Sequence, residues 1–172
     1  MTEQQSAFWT FSLTVYADPG VQKECLDLQD HYGVDVNLLL FCAYLGAVHG
    51  VVPSDAQIRQ VADVVAVWHE RVIGRLREAR RALKPFATET SQIASIAMAL
   101  RMRVKDTELE AERVEQIMLE EWGTAHVQDC ERAQPSAAVT ANIRTLLAMN
   151  HGCAGKPNLP NRLIAAALAT AS

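Results

Sequence analysis

The sequence predicts an all-α fold: one domain over residues 1–172, a bundle of about seven helices in which a long antiparallel hairpin (54–84 and 91–122) packs on a buried central helix (36–49). Three observations predict it. Residues 36–48, VNLLLFCAYLGAV, are polar only at Asn37, so the rest of the chain must wrap them on nearly every side. Two later stretches carry apolar side chains at alternating spacings of three and four over many turns, joined by a short link. No second segment offers a partner for a strand, and a lone strand is unstable. A chain of 172 residues buries a sufficient core without disulfides or metal.

The elements follow in order. Residues 6–16 are read as a helix through Phe8, Phe11 and Val15, although Trp9, Phe11, Leu13 and Val15 also alternate like a strand. Asp18-Pro19-Gly20 supplies a cap and a proline at the first turn, and Val21, Cys25, Leu28 and Tyr32 follow on one face until Gly33 stops the helix. Asp35 caps the central helix and Gly50 lies just past its end.

Ser54 and Gln57 match a capping box, opening a helix whose stripe is Ile58, Val61, Val65, Trp68, Val72, Leu76, Ala79 and Leu83. Running to about Lys84, it would be roughly 45 Å long, and Pro85 ends it. A second stripe, Ile93, Ile96, Leu100, Val104, Thr107, Ala111, Val114 and Met118, stops near Trp122-Gly123, so the two helices fold back on a link at 85–90. Residues 124–134 read as a linker or frayed turn. Pro135 opens a helix closed by Gly152, with Val139, Ile143, Leu146 and Leu147 facing inward, and Pro160 starts a short last helix.

The net charge of −4 conceals a segregation: residues 1–68 balance at −6, 69–105 at +6, 106–131 at −8 and 132–172 at +4. The longest apolar run, 38–48, is too short for a bilayer, which needs about 20 residues. The start, MTEQQSAF, lacks the features of a secretory signal. The four cysteines lack CxxC pairing and suit reduced, mostly buried thiols. A cytoplasmic protein without membrane association is expected.

Residues 8–42, FWTFSLTVYADPGVQKECLDLQDHYGVDVNLLLFC, resemble the opening of a family of small proteobacterial conserved hypothetical proteins of unknown function. The pattern is FWxFSLxxYxxPGV followed by CLxLQDxxGxDVNLLLFC. RLREARRALK and ELEAERVEQ resemble that family too, so the resemblance covers most of the chain. Tyr44 stands where a Trp is usual and keeps the aromatic character. The resemblance implies an all-helical cytoplasmic protein and brings no activity.

Three candidate sites emerge. If the hairpin turns near residue 87, Arg71 lies beside Arg103 and Arg75 beside Ala99. Arg71, Arg75, Arg77, Arg80, Arg81, Lys84, Arg101 and Arg103 then make one end positive, and Glu108, Glu110, Glu112, Glu115, Glu120 and Glu121 make the other negative. This suits docking of a protein partner or self-association. Nucleic acid is disfavoured, though not excluded, by the acidic total and the lack of aromatics among the basic residues.

The alternative is a small-molecule pocket among the first three helices, using Trp9, Tyr16, Gln29, Asp30 and Asn37, with His31 and a carboxylate as acid and base. Against it, Asp35 is accounted for as a cap, and Gln29 and Asn37 can satisfy buried backbone groups. A weak metal alternative is His126, Cys130, His151 and Cys153, whose spacing matches no known finger. No cofactor is expected, and no phosphate loop, GxSxG or HExxH motif points to a common enzyme class. The leading reading is therefore an interaction or adaptor module.

Overall fold

Helices begin where a side chain can satisfy their free amides. In the computed structural model, which describes residues 6–88, 92–150 and 157–170, Ser6 accepts from Trp9 N at the start of α1 (Ala7–Tyr16). Asp18 does so for α2 (Pro19–Tyr32), and Asp35 for α3 (Val36–His49). The Ser54–Gln57 capping box opens α4 (Asp55–Trp68). Gly33 and Gly50 end α2 and α3 at φ of 66° and 60°, a left-handed backbone that favours glycine.

The α4 helix runs on through a π-helical turn (His69–Ile73) into α5 (Gly74–Ala82). Then come α6 (Gln92–His126), α7 (Pro135–Met149) and α8 (Asn161–Ala169). With Asp55–Ala82 taken as one rod, the described residues form seven helices in an all-α bundle. Two helix starts are satisfied from a distance: Glu120 of α6 accepts from Phe8 N, and Glu24 of α2 accepts from Arg162 N and Leu163 N.

The central helix is buried at eleven positions from Asn37 to Ala47. It packs most closely on α7, where a Cβ on Gly46 would lie 2.4 Å from Val139 N. Asn142 of α7 donates to the carbonyls of Cys42 and Val51, tying three segments together. On the opposite side Phe41 meets Phe8 and Trp122 edge to face, at ring separations of 5.2 and 6.3 Å.

The chain departs from the sequence reading in four places. First, α6 passes through Gly123, where a Cβ would come within 3.0 Å of Phe41; that glycine serves close packing, not termination. Second, the segment after α6 is a 3₁₀ turn (Val127–Asp129) and a two-residue strand, β2 (Glu131–Arg132), antiparallel to β1 (Val51–Val52).

Third, the rod does not keep one apolar stripe. Ile58, Val61 and Val65 are buried as expected, but the π turn inserts one residue into the helical period. Beyond it Ile73, not Val72, is buried, and Arg77 and Arg80 turn toward α6 where Leu76 and Ala79 were expected. The buried face of α6 is mixed: Glu108, Glu115 and Gln116 are buried together with Ala94, Ala97, Ala111, Leu119 and Trp122, whereas Ile93 and Ile96 are each 65% exposed.

Fourth, the hairpin has another register. A turn at 87 places Arg75 beside Ala99 and therefore Arg77 beside Ala97, yet Arg77 is bonded to Glu108 and Glu112, about three to four turns further along. The acidic block thus lies against the basic one. The expected closure of α7 by Gly152 and part of the 85–90 link lie outside the described residues; α7 ends at Met149 with Asn150 beyond it.

Candidate functional site

The π turn presents His69 to two carboxylates. Its Nδ1 stands 3.1 Å from Asp35 Oδ2 and 3.0 Å from Glu115 Oε1. Asp35 already uses Oδ1 to cap α3 through Asn37 N and Leu38 N, so one side chain serves as cap and ion-pair partner together. Glu115 has no exposed surface, and its Oε2 accepts from Asn37 Nδ2 at 2.6 Å. Asn37 Oδ1 in turn accepts from Gln116 Nε2 at 2.8 Å. The result is an unbroken chain of hydrogen bonds from Gln116 through Asn37 and Glu115 to His69 and Asp35, crossing three elements.

The electrostatics follow from burial and partners. Burial alone would lower the His69 pKa, but the hydrogen bonds it donates to Asp35 and Glu115 carry it up to about 10, so the imidazole holds its proton at neutral pH. Burial raises the Glu115 carboxyl, with His69 opposing and Asp35 reinforcing the rise. Burial also raises Glu112, against the pull of Arg77. Glu108 moves the other way: its burial would raise it, and the hydrogen bonds and charges of Arg80 and Arg77 bring it below the ordinary carboxylate range.

This network forms one wall of a cavity of about 330 Å³, at the lower end of the range for small-molecule sites. Trp9, Tyr16, Gln29 and Asn37, four of the five residues named for the alternative pocket, line it together with Asp35 and His69. The fifth, Asp30, is bonded to Arg81 at 2.7 Å instead. Trp9 is held under the Arg113 guanidinium, 5.5 Å from its ring centre. Burial, then the nearby Cys25 and Glu112, pushes the Tyr16 phenol up to about 12, so it stays a donor.

Two polar atoms of cavity-lining residues stand without a hydrogen-bond partner among the described residues: Ser12 Oγ and Gln116 Oε1, each on a side chain only 4% exposed. His31, suggested as acid or base, bonds back to the Asp27 carbonyl on the exposed side of α2. The histidine at the cavity is His69, hidden in the sequence inside the apolar stripe of the rod.

The basic set divides. Arg77 bridges Glu108 and Glu112 at 3.2 and 3.3 Å, and Arg80 places two nitrogens on Glu108. Arg81 pairs with Asp30, and Arg75 with Glu78. These four are therefore not an uncompensated positive tip, because the shifted register supplies Arg77 and Arg80 with carboxylates. Arg71, Lys84, Arg101 and Arg103 make no ion pair among the described residues.

Of the weak metal set, His126 Nδ1 bonds the Trp122 carbonyl and Cys130 bonds the His126 carbonyl; His151 and Cys153 lie outside the described residues. No helix among the described residues is long and apolar enough to cross a membrane. No curated protein and no solved structure matches the chain. Residues 7–119, which supply α1 to α5, most of α6 and every side chain of the network, match the family described as a protein of unknown function (DUF2390), and the chain belongs to that family.

Proposed function

We propose that the protein binds a small amphipathic molecule in the cavity between α1, the junction of α2 with α3, the rod and α6. The observation that carries this reading is the pair of buried, unpartnered polar atoms on its lining, Ser12 Oγ and Gln116 Oε1. Leaving such groups unpaired costs about 1–3 kcal/mol each, and a ligand with matching groups recovers it. Leu13, Leu26, Leu40 and Leu109 offer an apolar bed for the ligand's body. Lys105, exposed on the lining and without an ion pair among the described residues, suits an anionic end.

The test is a thermal-shift screen of a metabolite library, with native mass spectrometry of the hits, on the wild-type protein and on Leu109→Trp. Leu109 is 51% exposed, so the indole fills the cavity without disturbing the core. Hits that stabilise the wild type and fail on the variant support the reading. Absence of any hit, or hits indifferent to Leu109→Trp, overturns it.

A second reading, the docking of a protein partner by the hairpin, is favoured by one observation. Ile93, Ile96, Leu100 and Phe86 are exposed near Lys84, Arg101 and Arg103, leaving an apolar and basic tip. Light scattering and partner capture at low and high salt test it, with Ile96→Glu as the variant. A cytoplasmic location belongs with either reading and is supported by Cys25, Cys42 and Cys130, all buried free thiols.

A further inference from the structure

We propose that Asp35, His69 and Glu115 form a site for one divalent first-row transition ion, bound by His69 Nδ1 and one oxygen from each carboxylate, with its open positions facing the cavity. The donor atoms lie within 4.8 Å of one another, and Nδ1 is 3.0 and 3.1 Å from the two oxygens. Ligands about 2.0–2.1 Å from a tetrahedral ion sit about 3.3 Å apart, so those two separations need only small adjustments.

Charge leads to the same place. Arg77 and Arg80 are matched by Glu108 and Glu112, but His69 faces two carboxylates with a single positive charge. Both carboxylates converge on one imidazole nitrogen, and one of them, Glu115, has no exposure at all. One Nδ1–H also cannot point straight at two acceptors. An ion in place of that proton binds both oxygens, and with a neutral imidazole it cancels the charge.

The surroundings are those of a supported ligand set. Asp35 Oδ1 is fixed by the amides of Asn37 and Leu38, and Glu115 Oε2 by Asn37 Nδ2, so the remaining oxygens are oriented toward Nδ1. Gln116 Oε1, unpartnered and on a side chain more than nine-tenths buried, lines the same cavity and can accept from a water on the ion. Asp35 and His69 line the cavity themselves, which gives the ion an open side. One nitrogen and two oxygens suit zinc, manganese or iron better than calcium or magnesium. The inference goes beyond the small-molecule reading and does not require it.

The test is calorimetric titration of the chelator-treated full chain with Zn²⁺ at pH 7, repeated in two buffers of different ionisation enthalpy. The comparison proteins are Asp35→Asn, which keeps a good helix cap, and Glu115→Gln, with circular dichroism as the check on folding. One equivalent should bind with release of close to one proton, and either variant that stays folded should lose more than about tenfold in affinity. Absence of saturable binding to the wild type overturns the proposal, as does binding that folded Asp35→Asn retains in full.

Discussion

His69 Nδ1 lies 3.0 Å from Glu115 Oε1, joining the π-helical turn of the rod to the most deeply buried carboxylate of α6. His69 opens that turn and keeps the face of Val65, so the extra residue acts beyond it, where a continuous α-helix would bring Val72, Leu76 and Ala79 inward. The same phase change aims Arg77 and Arg80 at Glu108. The interface between the two long helices is consequently apolar at one end and ionic at the other, and the cavity opens beside the ionic part.

The imidazole makes stability fall with rising pH. An unfolded histidine titrates near 6.5, whereas His69 keeps its proton up to about 10. The folded state therefore binds more protons than the unfolded chain between those values. The stabilisation is complete below pH 6.5 and is lost as pH rises toward 10. In urea denaturation between pH 6.5 and 7.5, below the range in which unfolded thiols titrate, His69 should contribute a slope of no more than about 1.4 kcal/mol per pH unit. His69→Gln should flatten it.

Arg77 and Arg81 should differ sharply when reversed to glutamate. Arg77, with a side chain only 14% exposed, would leave Glu108 and Glu112 facing a third negative charge, costing about 3–5 kcal/mol. The Arg81–Asp30 pair is largely exposed, and its loss should cost no more than about 1 kcal/mol. Denaturation midpoints of the two variants check this. Similar losses would contradict the placement of Arg77 inside the interface.

Glycines at two helix positions should respond in opposite directions. Gly46→Ala puts a methyl into the backbone of α7, and a cost of at least about 1–3 kcal/mol is expected from overpacking. Gly74→Ala meets nothing nearer than the His69 carbonyl at 3.4 Å and should be neutral or stabilising by up to about 1 kcal/mol. Thermal melts of both proteins make the comparison.

Asn37→Ala should destabilise by about 1–3 kcal/mol, because Glu115 Oε2 and Gln116 Nε2 each lose a buried partner. Without that donor the Glu115 carboxyl should also rise further, which carboxyl-carbon NMR titration reads directly.

Much of this architecture was legible in local signals. Asp18, Asp35 and Ser54 act within three residues of themselves, and so do Gly33 and Gly50; such short-range chemistry survives without coordinates. The all-apolar run of α3 likewise has a single physical solution. Four pocket residues, Trp9, Tyr16, Gln29 and Asn37, were nameable because α1, α2 and α3 follow one another closely.

The rest was hidden for identifiable reasons. A π turn leaves no mark on apolar periodicity, so the stripe through Val72, Leu76 and Ala79 reads as continuous while the real face passes through Ile73, Arg77 and Arg80. Buried charged residues defeat a search for apolar faces, which is why the sequence places Glu108 and Glu115 in a negative end of the hairpin and Ile93 and Ile96 in its apolar stripe. His69 lay four residues after Val65, inside a stripe that already had an explanation.

The most direct measurement is methyl NMR of the full chain titrated with hits from the metabolite screen. Shifts should be confined to Leu13, Leu26, Val36, Leu40 and Leu109, the methyls around the cavity. Shifts centred instead on Ile93, Ile96 and Leu100, at the exposed tip of the hairpin, would contradict binding in the cavity.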